Sequence, residues 1–438
     1  MADVRAKLKL AELEVFPASG RVVRMTSAVV EADGPDLSVG DHCEIIPAAK
    51  NAVPVRARVV AVSDAGIRLA PFHSVAGLRL GDRVMAASRG RSASTGNNFA
   101  GRAINALGEP IDGEGPIAGS SGAKAPLPVL ERASPSRPLA TGIRVLDGLL
   151  TVGHGQRMGI FAAAGVGKSR LVEQISRQSQ CDRVVVCLVG ERGREVEAFW
   201  QDIKVAPRRD RFTVVAATSD ELAPMRVQAV EQALALTEFW REQGEDVLLI
   251  VDSVTRYAMA LREIGLLGGE PPTLRSYTPN IFRELPIIVE RCGAQRGKGT
   301  ITAFFTVLSE NDDVDDPLVE VVKSLLDGHV VLSRRLAQAG HFPAVDIARS
   351  VSRLFDKLVD RAQSSAASQC RMFLARYEES RILIESGMYR AGTDRELDTA
   401  IAARSAVNAF SQQGSEEFVK PDRTREELLV LVPGGAMR

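Results

Sequence analysis

Ala162-Ala163-Ala164-Gly165-Val166-Gly167-Lys168-Ser169 decides the reading of this 438-residue chain. An apolar run, Met158 to Phe161, comes before it, and a helix-like segment, Arg170 to Gln178, follows. Strand, glycine turn, Lys-Ser, helix is the order of a phosphate-binding loop. Successive backbone N–H groups from Gly165 to Ser169 can wrap a phosphate, helped by the helix N-terminus. In this reading Lys168 reaches the β- and γ-phosphates and Ser169 holds Mg²⁺. The ligand is then a nucleoside triphosphate, and Ala164, Gly165, Val166, Gly167, Lys168, Ser169 and Arg170 form its binding segment. The strict pattern starts with glycine, and here Ala162 stands in that place. The last five residues, which make the cradle, are intact. The plain alternative is an ordinary Gly-rich strand-to-helix turn.

The length suggests two to four domains. Apolar content of 45% and charged content of 25% are those of an ordinary globular protein. Lys+Arg and Asp+Glu number 55 each, so no basic face is advertised and nucleic acid is not an expected partner. Cys43, Cys181, Cys187, Cys292 and Cys370 form no C-x-x-C pair and read as reduced, structural thiols of a cytosolic protein. No apolar run approaches the ~18 residues of a membrane span, and Met1 to Leu10 lacks the apolar core of a secretory signal.

Outward from the phosphate loop, the chain falls into four stretches. Residues 1–18 suggest a short amphipathic helix, open to two readings: a frayed terminus or a docking helix. Residues 19–92 read as short strands, Arg21–Glu31, His42–Ile46, Val55–Val62, Gly66–Pro71 and Asp82–Ala86, punctuated by Gly, Pro and Asp; such spacing predicts a small β-barrel. Residues 93–354 hold an α/β domain, with 93–138, rich in Gly, Ser, Ala and Pro, as the join. From about 139 the buried runs Arg157–Ala162, Val184–Val189, Thr213–Ala217, Val247–Val251, Thr302–Leu308 and His329–Leu332 alternate with helical stretches such as Ser219–Gln243 and Pro317–Leu326. That alternation predicts a mainly parallel sheet. Residues 355–438 read as helical, with helices expected at Leu358–Ser386 and Arg395–Gln412.

Several residues carry candidate chemistry. Asp252 ends the apolar run Val247–Val251, on a candidate strand neighbouring that of the phosphate loop; there it would complete a Mg²⁺ shell through water, or merely cap the next helix. Glu191 and Arg192 follow the strand Val184–Val189, at the end that faces the ligand crevice in such sheets. Glu191 could orient and deprotonate the attacking water and Arg192 could contact the γ-phosphate; the bland alternative is a solvated charge cluster. Arg256, one turn beyond Asp252, either offsets phosphate charge or pairs with an acid such as Glu191. Phe342, before Pro343, is either a core residue or a flat wall for a base. Ser350-Val351-Ser352-Arg353 reads as a loop on composition.

In their order and spacing, Ala-Ala-Ala-Gly-Val-Gly-Lys-Ser, Gly-Glu-Arg-Gly-Arg-Glu (190–195), Asp-Ser-Val-Thr-Arg (252–256), His-Phe-Pro-Ala-Val-Asp (341–346) and Ser-Val-Ser-Arg (350–353) resemble the rotary-type ATPase superfamily. The likeness is closer to the type III export ATPases, the flagellum-specific ones above all. It is carried by Gly155–Phe161, Tyr257–Gly265, Gly269-Glu270-Pro271-Pro272, Ile301–Leu308 and Asp327–Arg334. It spans about 20 to 400 and is densest from 139 to 353. The resemblance implies an N-terminal β-barrel, a RecA-like P-loop core and a helical C-terminal domain. It implies a homohexamer hydrolysing ATP with Mg²⁺ at sites between subunits. Lys168 and Ser169 would bind phosphate and metal, and Glu191 would be the catalytic carboxylate, with Arg192 beside it. Asp252 would be the Walker B acid and Arg256 an arginine on the phosphate side. Arg353 would be the finger given to the neighbouring subunit, Phe342 the adenine wall, and Tyr389 a helper from the C-terminal domain.

The resemblance further implies a stator dimer at the N-terminal segment and C-terminal face, and a coiled-coil stalk in the central pore. Leu266–Asn280 and the acidic Glu310–Asp316 could line that pore, or be plain surface loops. Chaperones, export substrates and an export gate are implied as further partners. The implied location is cytoplasmic, at the inner face of the membrane beside the export apparatus. Ala162 and Ala163 depart from the family's glycines and could stiffen the loop. An injectisome ATPase shares the same motifs. An RNA-directed ring helicase fits poorly, because residues 20–92 hold Phe72 as their one aromatic where stacking platforms are needed. A non-catalytic ring subunit would lack Glu191.

Overall fold

The computed structural model describes residues 19–49, 52–87, 93–121, 127–308 and 316–431. The helix expected over 1–18 and nearly all of the acidic loop at 310–316 lie outside the described residues.

Six strands open the described chain: β1 (Ser19–Met25), β2 (Val30–Ala32), β3 (His42–Ile46), β4 (Val55–Ser63), β5 (Gly66–Pro71) and β6 (Arg83–Ala86). They close into a barrel in the order β1-β2-β5-β4-β3-β6, which leaves no open sheet edge. Alternation fills it. Val55, Ala57 and Val59 of β4 point inward onto Val22, Ile45, Leu69 and Val84. The strand expected over Arg21–Glu31 is two strands. Thr26 Oγ1 accepts the N–H groups of Ala28 and Val29 at 3.3 and 3.1 Å, a hydroxyl turn that breaks the ladder.

Residues 93–138 are more than a join. β7 (Ser94–Thr95) pairs with β9 (Ser120–Ser121), while β8 (Arg102–Asn105) and β10 (Arg132–Ala133) enter the main sheet. That sheet continues through β11 (Arg157–Ala162), β12 (Arg183–Glu191), β13 (Phe212–Thr218), β14 (Asp246–Asp252), β15 (Gly293–Gln295), β16 (Thr300–Leu308), β17 (Gly328–Leu332) and β18 (Val345–Ser352). The order is β18-β17-β11-β16-β14-β12-β13-β8. Along this order the pairs are parallel except for β18, which runs antiparallel beside β17; off it, the short β15 runs antiparallel to both β10 and β16. β18 takes in Ser350, Val351 and Ser352, so their reading as a loop is corrected. Pairing along a sheet edge overrides a weak local preference there.

Helices cover both faces, which is why the central strands are apolar along their whole length. One face carries α3 (Ala223–Glu242), α4 (Val254–Gly268) and α5 (Pro279–Glu290); the other carries α1 (Lys168–Gln178) and α2 (Gly193–Lys204). α6 (Pro317–Leu325) and the short α7 (Arg334–Gln338) and α8 (Phe355–Leu358) lead to the C-terminal helices α9 (Arg361–Glu379), α10 (Arg381–Glu385), α11 (Arg395–Ser411) and α12 (Pro421–Leu431). The helix expected over Leu358–Ser386 starts later, because Asp360 caps Gln363 N at 2.8 Å, and it breaks at Ser380. Phe410 and Leu428 of the C-terminal helices join the same buried cluster as Ile160 and Leu188 of the sheet. None of the described helices is long and apolar enough to cross a membrane. All five cysteines are free thiols.

Candidate active site at the carboxyl edge of the sheet

Parallel register gathers the candidate residues. Ala162 pairs with Leu308, Val251 with Phe305 and Leu188 with Asp252, so β11, β14 and β12 end at one edge, where open α/β sheets bind ligands. One expectation is corrected: the strand of Asp252 does not adjoin that of the phosphate loop, because β16 lies between them. Two strand spacings amount to roughly 10 Å, a gap that the Lys168 side chain helps to bridge. Its ammonium ion-pairs with Asp252 Oδ1 and lies 3.6 Å from Glu191 Oε1.

The phosphate loop has the conformation its glycines require. Gly165 has φ 78° and Gly167 φ 90°, left-handed values that favour glycine. A Cβ at Gly165 would touch nothing within 4 Å, so the space over the loop is open. Gly167 caps α1, with Lys168 and Ser169 in its first turn. Ala162 is the last residue of β11, buried against the core. Ala163 packs on the same cluster, and neither has a positive φ. These two positions therefore do not demand glycine in this backbone.

Charge is deliberately unbalanced at this edge: one lysine serves two carboxylates. Burial pushes the Glu191 carboxyl above the usual range; Lys168 opposes this, while Asp252 and Glu195 add to it. Asp252, 4% exposed, accepts a hydrogen bond from Thr306 Oγ1 at 2.6 Å. Sequence reasoning missed Thr306. The available signal was a hydroxyl set between Phe305 and Val307 in an otherwise apolar strand end.

The remaining candidates divide. Ser253 caps α4 by accepting Arg256 N at 3.3 Å, and the Arg256 stem packs over Gly190, where a Cβ would sit 3.1 Å from it. Among the described residues Arg256 makes no ion pair, so the pairing with Glu191 is not formed. Arg192 is exposed at the start of α2. Phe342 is half-buried, and its ring lies 3.1 Å from a Cβ built on Gly167, with the Arg170 guanidinium 5.6 Å from the ring centroid. It is a wall beside the phosphate loop, not a core residue. Around it closes a C-terminal segment that no sequence motif marked. Gln413 N donates to Phe342 O at 2.8 Å, Arg170 to Ser415 Oγ at 3.1 Å and Gln174 to Gly414 O at 3.3 Å.

Arg353 and Tyr389 lie elsewhere. Ser352 pairs with Gly328, and Gly328 with Met158, so Arg353 emerges at the amino edge of the parallel strands. Four residues of strand and two strand spacings put it about 15 Å from the phosphate loop of its own chain. Its exposed guanidinium is 3.5 Å from Lys323 O. The Tyr389 hydroxyl donates to Asp398 Oδ1 at 2.8 Å, within the C-terminal helices.

Known proteins resemble this chain in sequence and fold. Residues 142–352 match the ATP synthase alpha/beta family, nucleotide-binding domain, and 359–429 match the T3SS EscN ATPase C-terminal domain. The chain is 41% identical to a flagellum-specific ATP synthase of Pseudomonas aeruginosa, over 95% of this chain and 93% of that one. It is 42% identical to a type 3 secretion system ATPase of Xanthomonas euvesicatoria, over 98% and 97%. The assembled ATPase EscN of enteropathogenic E. coli superposes with a TM-score of 0.88 at 36% identity, covering 94% of this chain and 99% of that one. Identity of 41% and 42% to these relatives over nearly the whole length of each chain places this chain in the ATP synthase alpha/beta family, among its flagellum-specific and type III secretion ATPases.

Proposed function

We propose that this chain is the ATP-hydrolysing subunit of a ring that energises type III protein export, in the service of flagellar assembly. The observation that carries the reading is the convergence of Lys168, Glu191 and Asp252 at one sheet edge beside an open glycine loop. Lys168 and the N–H groups from Gly165 to Ser169 hold the phosphates, and Phe342 flanks the base. Glu191, its carboxyl raised chiefly by burial, takes the proton of the attacking water. Arg192 and Arg256, exposed and without acidic partners among the described residues, are free to face phosphate oxygens. The Ser169 hydroxyl and the Asp252 carboxylate suit Mg²⁺, which favours oxygen ligands; when bound, that ion offsets charge on the β- and γ-phosphates.

The far placement of Arg353 supports a site completed by a neighbouring subunit. Its guanidinium would stabilise charge on the phosphoryl group in transfer. Tyr389 is at most a secondary contributor from the C-terminal helices. A homohexamer with a coiled-coil stalk in its pore belongs to this reading, with Leu266–Asn280 as a pore-lining segment; the assembled EscN and its complex with the central stalk EscO support assembly around a stalk. A stator dimer, chaperones, export substrates and an export gate complete the proposed partners, with the ring peripheral to the inner membrane. The injectisome is the second reading, favoured by the equally similar Xanthomonas enzyme.

ATPase activity per milligram, measured with Mg²⁺ over a wide range of protein concentration, tests this reading. Specific activity should climb and then saturate as neighbours complete the site. Absence of activity at every concentration would overturn it.

A further inference from the structure

We propose that Thr306 is a positioning residue for nucleotide turnover: it fixes the Asp252 carboxylate when Lys168 leaves it for the phosphates. The inference rests on the assignment of Lys168 and Asp252 to the nucleotide site.

The case begins with the cost of a hydroxyl in this place. Thr306 is fully buried near the end of β16, flanked in sequence by the buried Phe305 and Val307. Valine has nearly the same shape and carries no polar atom. A hydroxyl withdrawn from water is costly unless it finds a partner. The partner here is Asp252 Oδ1, at 2.6 Å. The pairing follows from register: Val251 lies opposite Phe305, so the next residues, Asp252 and Thr306, stand side by side on adjacent strands.

Oδ1 also receives the Lys168 ammonium, whereas no described residue donates to Oδ2. Among the described residues the carboxylate is thus tied through one oxygen, which leaves the other for a ligand. Lys168 cannot keep both its duties. If its charge moves onto phosphate, Asp252 keeps its burial but loses its cation. The Thr306 hydroxyl then remains as the protein's hold on Oδ1, and it keeps Oδ2 aimed where a hydrated cation would be met. Preorganisation of this kind favours ion binding by removing a reorientation step. A hydrogen bond to a charged acceptor is among the stronger ones.

The test compares wild type, Thr306→Val and Thr306→Ser as full chains, reading ADP affinity with Mg²⁺ and with EDTA, and turnover of Mg-ATP. Thr306→Val should lose about tenfold of the affinity gain that Mg²⁺ confers, keep its affinity in EDTA, and turn over about tenfold or more slowly. Thr306→Ser, which keeps the hydroxyl and loses a methyl, should restore both. Thermal unfolding of the nucleotide-free chains should remain cooperative for all three, with the valine variant shifted down by the loss of one hydrogen bond and the serine variant keeping that bond. A valine variant with undiminished Mg²⁺ gain and turnover overturns the inference. So do valine and serine variants impaired alike, since the defect is then one of packing. A wild-type chain that binds no ADP in either buffer overturns the nucleotide-site assignment itself, and this inference with it.

Discussion

Two places in this α/β domain, the turn after β8 and the carboxyl edge of the sheet, show how differently a carboxylate can be housed. Asp112 is gripped by both arms of Arg102, at 2.6 and 2.8 Å, and accepts the N–H groups of Ala103 and Glu114 at 3.0 Å each. Burial would raise its carboxyl, yet Arg102 and those N–H groups outweigh burial and bring it down to about 2. At the other place Glu191 and Asp252 share one lysine, and burial wins for Glu191. The Asp112 pair is closed and saturated; it fastens β8 to the turn that follows. The Glu191–Asp252 pair is under-compensated, and a further cation or a proton is welcome there. Unfinished electrostatics in an open cleft mark a site, whereas finished electrostatics mark a brace.

Substitutions should separate the two kinds. Lys168→Ala should have the largest effect, removing most nucleotide affinity and lowering hydrolysis by about 10³-fold or more, measured by nucleotide binding and phosphate release. Arg353→Ala should leave folding and ADP binding intact while turnover falls by about 10³-fold; normal turnover would mean that the site is complete within one chain. Glu191→Gln should keep ATP affinity and lose about 10²-fold or more in turnover. A fully active variant would remove Glu191 from the chemistry. Asp112→Asn should do the reverse, costing about 2 kcal/mol of stability with per-molecule turnover unchanged.

The smallest effect is a contrast in pH. The raised Glu191 carboxyl is protonated over a wider acidic range, so turnover should fall on acidification before an ordinary carboxylate would titrate. The lowered Asp112 carboxyl adds stability that is fully present above its unfolded value near ~3.9 and is lost as pH falls toward about 2. A pH profile of turnover beside one of thermal stability resolves the two limbs; coincident limbs would erase the distinction.

The sequence made much of this legible because the informative features were local. The glycine loop, the apolar runs and the acids at their ends follow from patterns a few residues long. Barrel strands such as His42–Ile46 and Gly66–Pro71 have the bounds that alternation predicts. What stayed hidden depends on contacts distant in sequence. β8 lies in a turn-rich segment and is a strand through pairing with β13; β18 is one through pairing with β17. The insertion of β16 between β11 and β14 is a matter of topology, and with it came Thr306. The closure of Gln413–Ser415 on Phe342 joins residues about seventy positions apart, which no local motif announces.

The central claim, that each site takes Lys168 from one chain and Arg353 from the next, is tested most directly by mixing two dead variants. Lys168→Ala and Arg353→Ala chains, each inactive alone, should regain ATPase activity when combined. Some interfaces will then pair an intact Lys168 with an intact Arg353. Recovered activity that varies with the mixing ratio is the expected result. No recovery at any ratio, with both variants folded and assembled, would contradict the shared site.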